Sequence, residues 1–143
     1  MELTARSLKV EIGAFEVRWP DDFAGAFSEM IKRRVDAITI SQETLFAVNA
    51  RPIADLARKN RLPLAGGEEY AQVGGLIAYG VNFPEMYRRA AYFIDKILKG
   101  AKASDLLIEQ PTKFDLIINL NTAKALGVTI PQTLVLCADE LIQ

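Results

Sequence analysis

The sequence predicts an α/β fold, a parallel sheet with helices on both faces, and three observations carry that expectation. Short apolar runs of strand length recur at 36–40 (DAITI), 62–65 (LPLA) and 76–79 (LIAY). Stretches with a helical apolar period fill the intervals between them, and glycine doublets at 66–67 and 74–75 mark the turns. Strand and helix alternating at this spacing is the signature of βαβ crossovers.

Each element has its own warrant. Residues 11–17 (EIGAFEV) mix small, β-branched and aromatic side chains over strand length. Pro20-Asp21-Asp22 then opens a helix with Phe23, Phe27, Met30 and Ile31 on one face. DAITI is nearly continuous in apolar character, as a buried parallel strand is. After SQETLFAVNA a second helix runs to about Asn60. Pro52 fits only in its first turn, and Ile53, Leu56 and Ala57 face inward. A strand at 62–65 closes on Gly66-Gly67, and a short helical piece at 68–73 leads into the strand at 76–79. The helix from Pro84 to Lys99 has the clearest pattern. Met86, Tyr87, Ala90, Ala91, Ile94, Ile97 and Leu98 form a wide stripe, and Gly100 supplies the stop. Residues 108–111 read as extended and 114–120 as a strand. Asn121 is placed to cap a helix at 122–126 that ends at Gly127, and Pro131 restarts a terminal helix toward Ile142.

Composition limits what the protein can do. With 143 residues, 50% hydrophobic and 24% charged, the chain can bury roughly two thirds of its unfolded surface as a single α/β domain over 1–143. Seventeen basic against 18 acidic residues leave a net charge of −1, and no basic window is interleaved with aromatics, so no nucleic-acid partner is expected. Lys32-Arg33-Arg34 and Arg58-Lys59-Asn60-Arg61 read as helix C-terminal turns, where cations offset the dipole. There is no histidine, which removes the commonest general base together with Ser-His and Cys-His nucleophiles. Cys137 is the single cysteine and reads as a small packed hydrophobe. The acids fall as adjacent pairs, Asp21-Asp22, Glu68-Glu69 and Asp139-Glu140, whose side chains diverge on a helix. Catalytic residues, metal ligands and a cofactor are therefore not expected, and GGEEYAQVGG fits no phosphate-binding loop.

A ligand would sit where three segments reach the carboxyl ends of the strands. Ser41, Gln42 and Thr44 follow DAITI, Glu68 follows LPLAGG, and Tyr79 and Asn82 close LIAYGVN. Carboxylates suit an ammonium, hydroxyls and amides a carboxylate, and an aromatic ring an apolar group. A second reading stands beside this one: Ser41 and Asn82 cap helices, and Glu68 and Glu69 are solvated first-turn acids.

The run GGLIAYGVNFPEMYRRAAYFIDKILKGAKASDLLIEQPTKFDLIINLNTAKALGVTIP closely resembles the C-terminal part of the ABC-transporter substrate-binding proteins typified by tryptophan- and tyrosine-type binding proteins. The most specific pieces are YGVNF at 79–83, KILKG at 96–100, and EQPTKFDLIINL with TAKALG and TIP. The resemblance runs from about residue 11 to the C-terminus. It implies a type I periplasmic binding protein fold, in which two Rossmann-like lobes clamp a solute and deliver it to an ABC permease without catalysis. On it, 41–44 and 67–69 belong to the cleft edge of the second lobe and 79–82 to the hinge crossing. Many relatives have Thr-Asp-Asn or similar residues where this chain has SQET, and an Asp where it has Glu68, one methylene longer.

The resemblance further implies that this chain holds the second lobe and the crossing segments, with the first lobe and one strand absent. In the strand order 2-1-3-4-5, EIGAFEV and DAITI would then flank a gap or pair directly. The helix at 84–99 resembles one that packs on the absent lobe. Leaving about four of its apolar side chains in water would forgo roughly 1.5 to 3 kcal/mol each, comparable to a domain's whole stability. A homodimer that covers this helix is the expectation, as is weak solute binding by a single lobe. The alternative is an oligomeric remnant with no solute of its own. The location implied is periplasmic or extracytoplasmic. MELTARSLKVEIGAF lacks a signal-peptide pattern, so the chain as written is also compatible with the cytoplasm.

Overall fold

In the computed structural model, which describes residues 2–143 and the side chains from Thr4 onward, the chain divides into two compact units, one ending at Val35 and the other spanning Asp36–Gln143.

The first unit holds α1 (Glu2–Ser7) and α2 (Phe23–Lys32). A 3-10 turn at Pro20–Asp22 leads into α2, with proline in its first turn. The Asp22 carboxylate reaches back to accept from the backbone N–H of Arg18 and Trp19 at 3.0 and 2.9 Å, which fixes the entry into the helix. Phe23, Phe27 and Met30 are buried as the pattern predicts, but Ile31 is half out of the protein. Residues 11–17 form no strand; most of their side chains are exposed. Gly13 weakens the run, and among the described residues no neighbouring strand supplies the ladder bonds a strand needs. The choice between a gap and direct pairing with DAITI therefore does not arise.

The second unit is built on a five-stranded sheet in sequence order: β1 (Ile38–Thr39), β2 (Leu64–Gly66), β3 (Ile77–Val81), β4 (Phe114–Asn119) and β5 (Glu140–Ile142). β1 to β3 run parallel, as do β4 and β5. One joint differs from the expectation of a wholly parallel sheet: β3 and β4 are antiparallel over five residue pairs, from Ile77 opposite Ile118 to Val81 opposite Phe114. An α/β sheet commonly carries such a mixed joint. Between the strands lie α3 (Thr44–Val48), α4 (Ala50–Lys59), α5 (Glu68–Gln72), α6 (Phe83–Leu98), α7 (Leu120–Leu126) and α8 (Gln132–Cys137). In α4, Ile53, Ala54 and Ala57 are buried, while Leu56 is half-buried.

Tyr70 anchors α5. It is 1% exposed and donates from its hydroxyl to the Phe46 carbonyl at 2.8 Å. Its ring lies so close to Gly66 that a Cβ there would collide with it, which is why β2 ends on glycine. Burial, with the Glu69 carboxylate adding to it, pushes the Tyr70 phenol well above its ordinary pKa.

Asn119 ties the carboxyl end of β4 to its surroundings. Its side chain accepts from Thr122 N at 2.9 Å, capping α7, and donates to the buried Ala71 carbonyl at 3.1 Å. Asn119 is thus the cap expected of Asn121, because the helix starts two residues earlier, at Leu120. The terminal helix toward Ile142 is also shorter than expected. After Cys137 the chain turns extended at Ala138. Asp139 then locks onto Leu116, its carboxylate accepting from Leu116 N and its own N–H donating to Leu116 O, both at 2.8 Å. That clamp lays β5 beside β4. Cys137, expected to be packed, is exposed there.

Two outcomes follow. Asn119→Ala should lower unfolding free energy by about 2 to 4 kcal/mol in urea titration, since it removes a cap and strands a buried carbonyl; Asn121→Ala should change it by less than about 0.5 kcal/mol. Tyr70→Phe should cost about 1 kcal/mol at neutral pH and flatten the alkaline limb of the stability curve. Above pH ~10 the unfolded chain loses the phenol proton while the folded chain keeps it, so wild-type stability falls there.

Candidate functional site

The carboxyl ends of β1, β2 and β3 deliver their following residues to one edge of the sheet. Gln42 comes from the turn after β1, where Glu43 N donates to Ser41 O at 2.9 Å. Glu68 is the first residue of α5, after Gly67. Both line a small depression, about 10 Å³, with Ala78, Gly80 and Val81 of β3, Phe83 of α6, and Asp115 and Ile117 of β4. A methyl group on Gly80 would stand 2.6 Å from Gln42 Nε2, so glycine at this position lets the amide lie against the β3 backbone.

Asp115 enters by register. It faces Gly80 across the antiparallel joint, one pair along from Phe114 opposite Val81. Its carboxylate accepts from Asn82 Nδ2 at 2.5 Å and lies 3.8 Å from Lys113 Nζ. Asn82 in turn accepts from Glu85 N at 2.7 Å, which makes it the N-cap of α6. Its own N–H donates to Lys113 O at 3.1 Å. The chain therefore leaves the sheet at Asn82 and returns at Lys113 through one hydrogen-bonded point.

Of the six sequence-predicted residues, Gln42 and Glu68 meet in the depression. Asn82 reaches its rim through Asp115 while also capping α6, so for this residue both sequence readings describe part of its role. Ser41 and Thr44 are exposed beside Gln42, Thr44 opening α3. Tyr79 alternates to the opposite sheet face from Gly80 and Ala78. There it stacks on Phe114 with ring centroids 5.8 Å apart and is 62% exposed. Asp115 is the residue sequence reading passed over. Its signal was alternation: Asp115 and Ile117 share a face, and Ile117 is core.

A separate polar cluster lies on α6. The Arg89 guanidinium grips Glu109 through Nε and Nη2 at 2.6 and 2.5 Å and sits 4.1 Å from the centre of the Tyr92 ring. The Arg89 hydrogen bonds hold the Glu109 carboxyl below its ordinary pKa. Lys96 over the same ring, 4.8 Å from its centre, is the main cause that draws the Tyr92 phenol below its own. Among the described residues no group of three or more His, Cys, Asp or Glu is placed to hold a metal. No helix there is long and apolar enough to cross a membrane.

The carboxyl ends of parallel strands in an open α/β sheet are where such sheets bind ligands. The family profile for ABC transporter substrate binding proteins matches residues 1–142, and the chain belongs to that family, one of binding proteins rather than enzymes. A tyrosine-binding protein of Clostridioides difficile (strain R20291) is 22% identical over 96 residues, 66% of this chain and 28% of that protein. Among solved structures, a conserved domain protein of Vibrio cholerae O1 biovar El Tor shares the fold at TM-score 0.87 and 20% identity over 98% of this chain. An ABC domain from Streptococcus pneumoniae, solved in complex with L-Trp, does so at TM-score 0.86 and 23% identity, also over 98%. This chain spans 47% and 49% of those two. The expected fold class, resembling one lobe of a periplasmic binding protein, is thereby confirmed.

Proposed function

We propose that the chain is the solute-binding part of an ABC-type transporter, taking a small zwitterion of the amino-acid class on the outer side of a membrane and passing it to a permease without chemistry. The observation that carries this reading is the convergence of Gln42, Glu68 and Asp115 around Gly80 at the carboxyl edge of the sheet. Two carboxylates suit an ammonium group, and the primary amide of Gln42 can donate to a carboxylate. The tyrosine-binding relative and the L-Trp-bound structure support an aromatic amino acid as the solute. Ser41 and Thr44 extend the polar rim beside Gln42. Tyr79 and Phe114, on the other sheet face, do not share this depression, and Asn82 acts by holding Asp115. The depression has room for about 10 Å³, one water molecule, so the affinity of this chain alone should be low, because a closed cleft buries about 70 to 90% of such a ligand.

A second reading, an oligomeric chain without a solute, draws on α6, in which no residue is buried. Titration calorimetry with L-Trp, L-Tyr and a panel of other amino acids separates the two. The expected result is saturable binding of an aromatic amino acid with a dissociation constant of about 10 μM or weaker. Asp115→Asn and Glu68→Gln should each weaken it roughly tenfold, with Tyr79→Phe unchanged. Absence of heat with every amino acid would leave the oligomeric reading standing.

A further inference from the structure

We infer that the Tyr70 hydroxyl is a positioning group for the carboxyl edge: its bond to the Phe46 carbonyl holds the turn that carries Gln42 at its distance from Glu68. The purpose of that hold rests on the solute-binding reading, while the hold itself rests on geometry within the second unit. Gln42 and Glu68 belong to different elements, so a non-covalent tie has to fix the space between them.

Tyr70 is joined to both sides of that space. On the Glu68 side its N–H donates to Gly67 O at 3.0 Å, closing the turn in which Glu68 lies, and its carbonyl accepts from Gly75 N at 2.6 Å. The buried ring fills the room beside Gly66 that a Cβ would take. α5 is seated by these contacts whether or not the ring carries a hydroxyl. On the Gln42 side the hydroxyl donates to Phe46 O, 24 positions earlier in the chain, at 2.8 Å. From Ser41 to Phe46 the backbone is one locally bonded piece: Glu43 N donates to Ser41 O at 2.9 Å, and Phe46 N and Ala47 N both donate to Glu43 O at 3.0 Å. A helix of five residues such as α3 is too short to hold a position by itself. The bond at Phe46 therefore governs where Gln42 stands, and the close approach of the Gln42 amide to Gly80 is the other end of the same span. Two groups that meet one small zwitterion must be held within about 0.5 Å of their working geometry. Loosening one of them shows in affinity as well as in stability.

Tyr70→Phe keeps the ring against Gly66 and removes only the donor, so it separates the two duties of the residue. In titration calorimetry it should weaken L-Trp binding roughly threefold to tenfold. The effect should vanish in a Gln42→Ala background and persist in Glu68→Gln, which a general loss of stability would not produce. Asn60→Ala, which loses one hydrogen bond at the far end of α4, is the control and should bind L-Trp as the wild type does. Amide hydrogen exchange without solute gives the second readout: Tyr70→Phe should speed exchange at Phe46 and Ala47 severalfold relative to Gly75, and Asn60→Ala should not. An L-Trp affinity unmoved by Tyr70→Phe, or lowered equally with and without Gln42, overturns the inference. If the wild-type chain binds no L-Trp, the solute reading falls and exchange alone decides. A Phe46 to Gly75 ratio unchanged by Tyr70→Phe then overturns the hold, and a raised ratio upholds it.

Discussion

The antiparallel joint between β3 and β4 is the constraint on which the second unit depends. Its five residue pairs are the longest run of pairing in a sheet whose other joints hold two or three. It sets Gly80 beside Asp115, and so gives the carboxyl edge a carboxylate that the parallel strands alone would not supply. It also brings Ala78 opposite Ile117, two of the buried residues at the centre of the core. Where the joint ends, the Asn82–Lys113 and Asn82–Asp115 hydrogen bonds close the base of the long excursion that carries α6. The polar carboxyl edge and the outward helix are two consequences of one register.

Asn119 and Tyr70 secure the joint from either side. Asn119 ends β4, bonds the α5 backbone and starts α7. Tyr70 fixes α5 against the glycine that ends β2 and against the chain at Phe46. Both are buried polar side chains with their hydrogen bonds made, the condition under which such groups specify a structure rather than weaken it. Glu68, the first residue of α5, is therefore positioned from below by Tyr70 and Ala71, which carry no ligand chemistry themselves. The site is polar at its rim because its supports are satisfied beneath it.

Much of this was legible in the sequence. The helix at 83–98, the strands at β2 and β3, and the approach of Gln42 and Glu68 to one edge follow from apolar period and glycine placement. The antiparallel sense of β4 was not legible, since FDLIIN alternates identically whichever way it runs, and only its partner decides. Residues 11–17 show the converse: a strand-like composition becomes a strand only where a neighbour offers hydrogen bonds. The segment after Pro131 looked helical to its end because the apolar spacing of Leu134, Val135 and Leu141 suits a helix. Asp139, bonding Leu116 both ways, overrode it with a contact 23 residues distant. Asp115 was missed for the same reason, its role resting on a cross-strand neighbour.

The central claim is that Gln42, Glu68 and Asp115 form one solute-contacting edge. Backbone amide shifts in a 15N-labelled sample titrated with L-Trp test it most directly. The account predicts movements concentrated at Gln42, Glu68, Gly80 and Asp115, with α7 and α8 unmoved. Shifts confined to the Tyr79–Phe114 face, or none at saturating L-Trp, L-Tyr and the remaining amino acids, would contradict it.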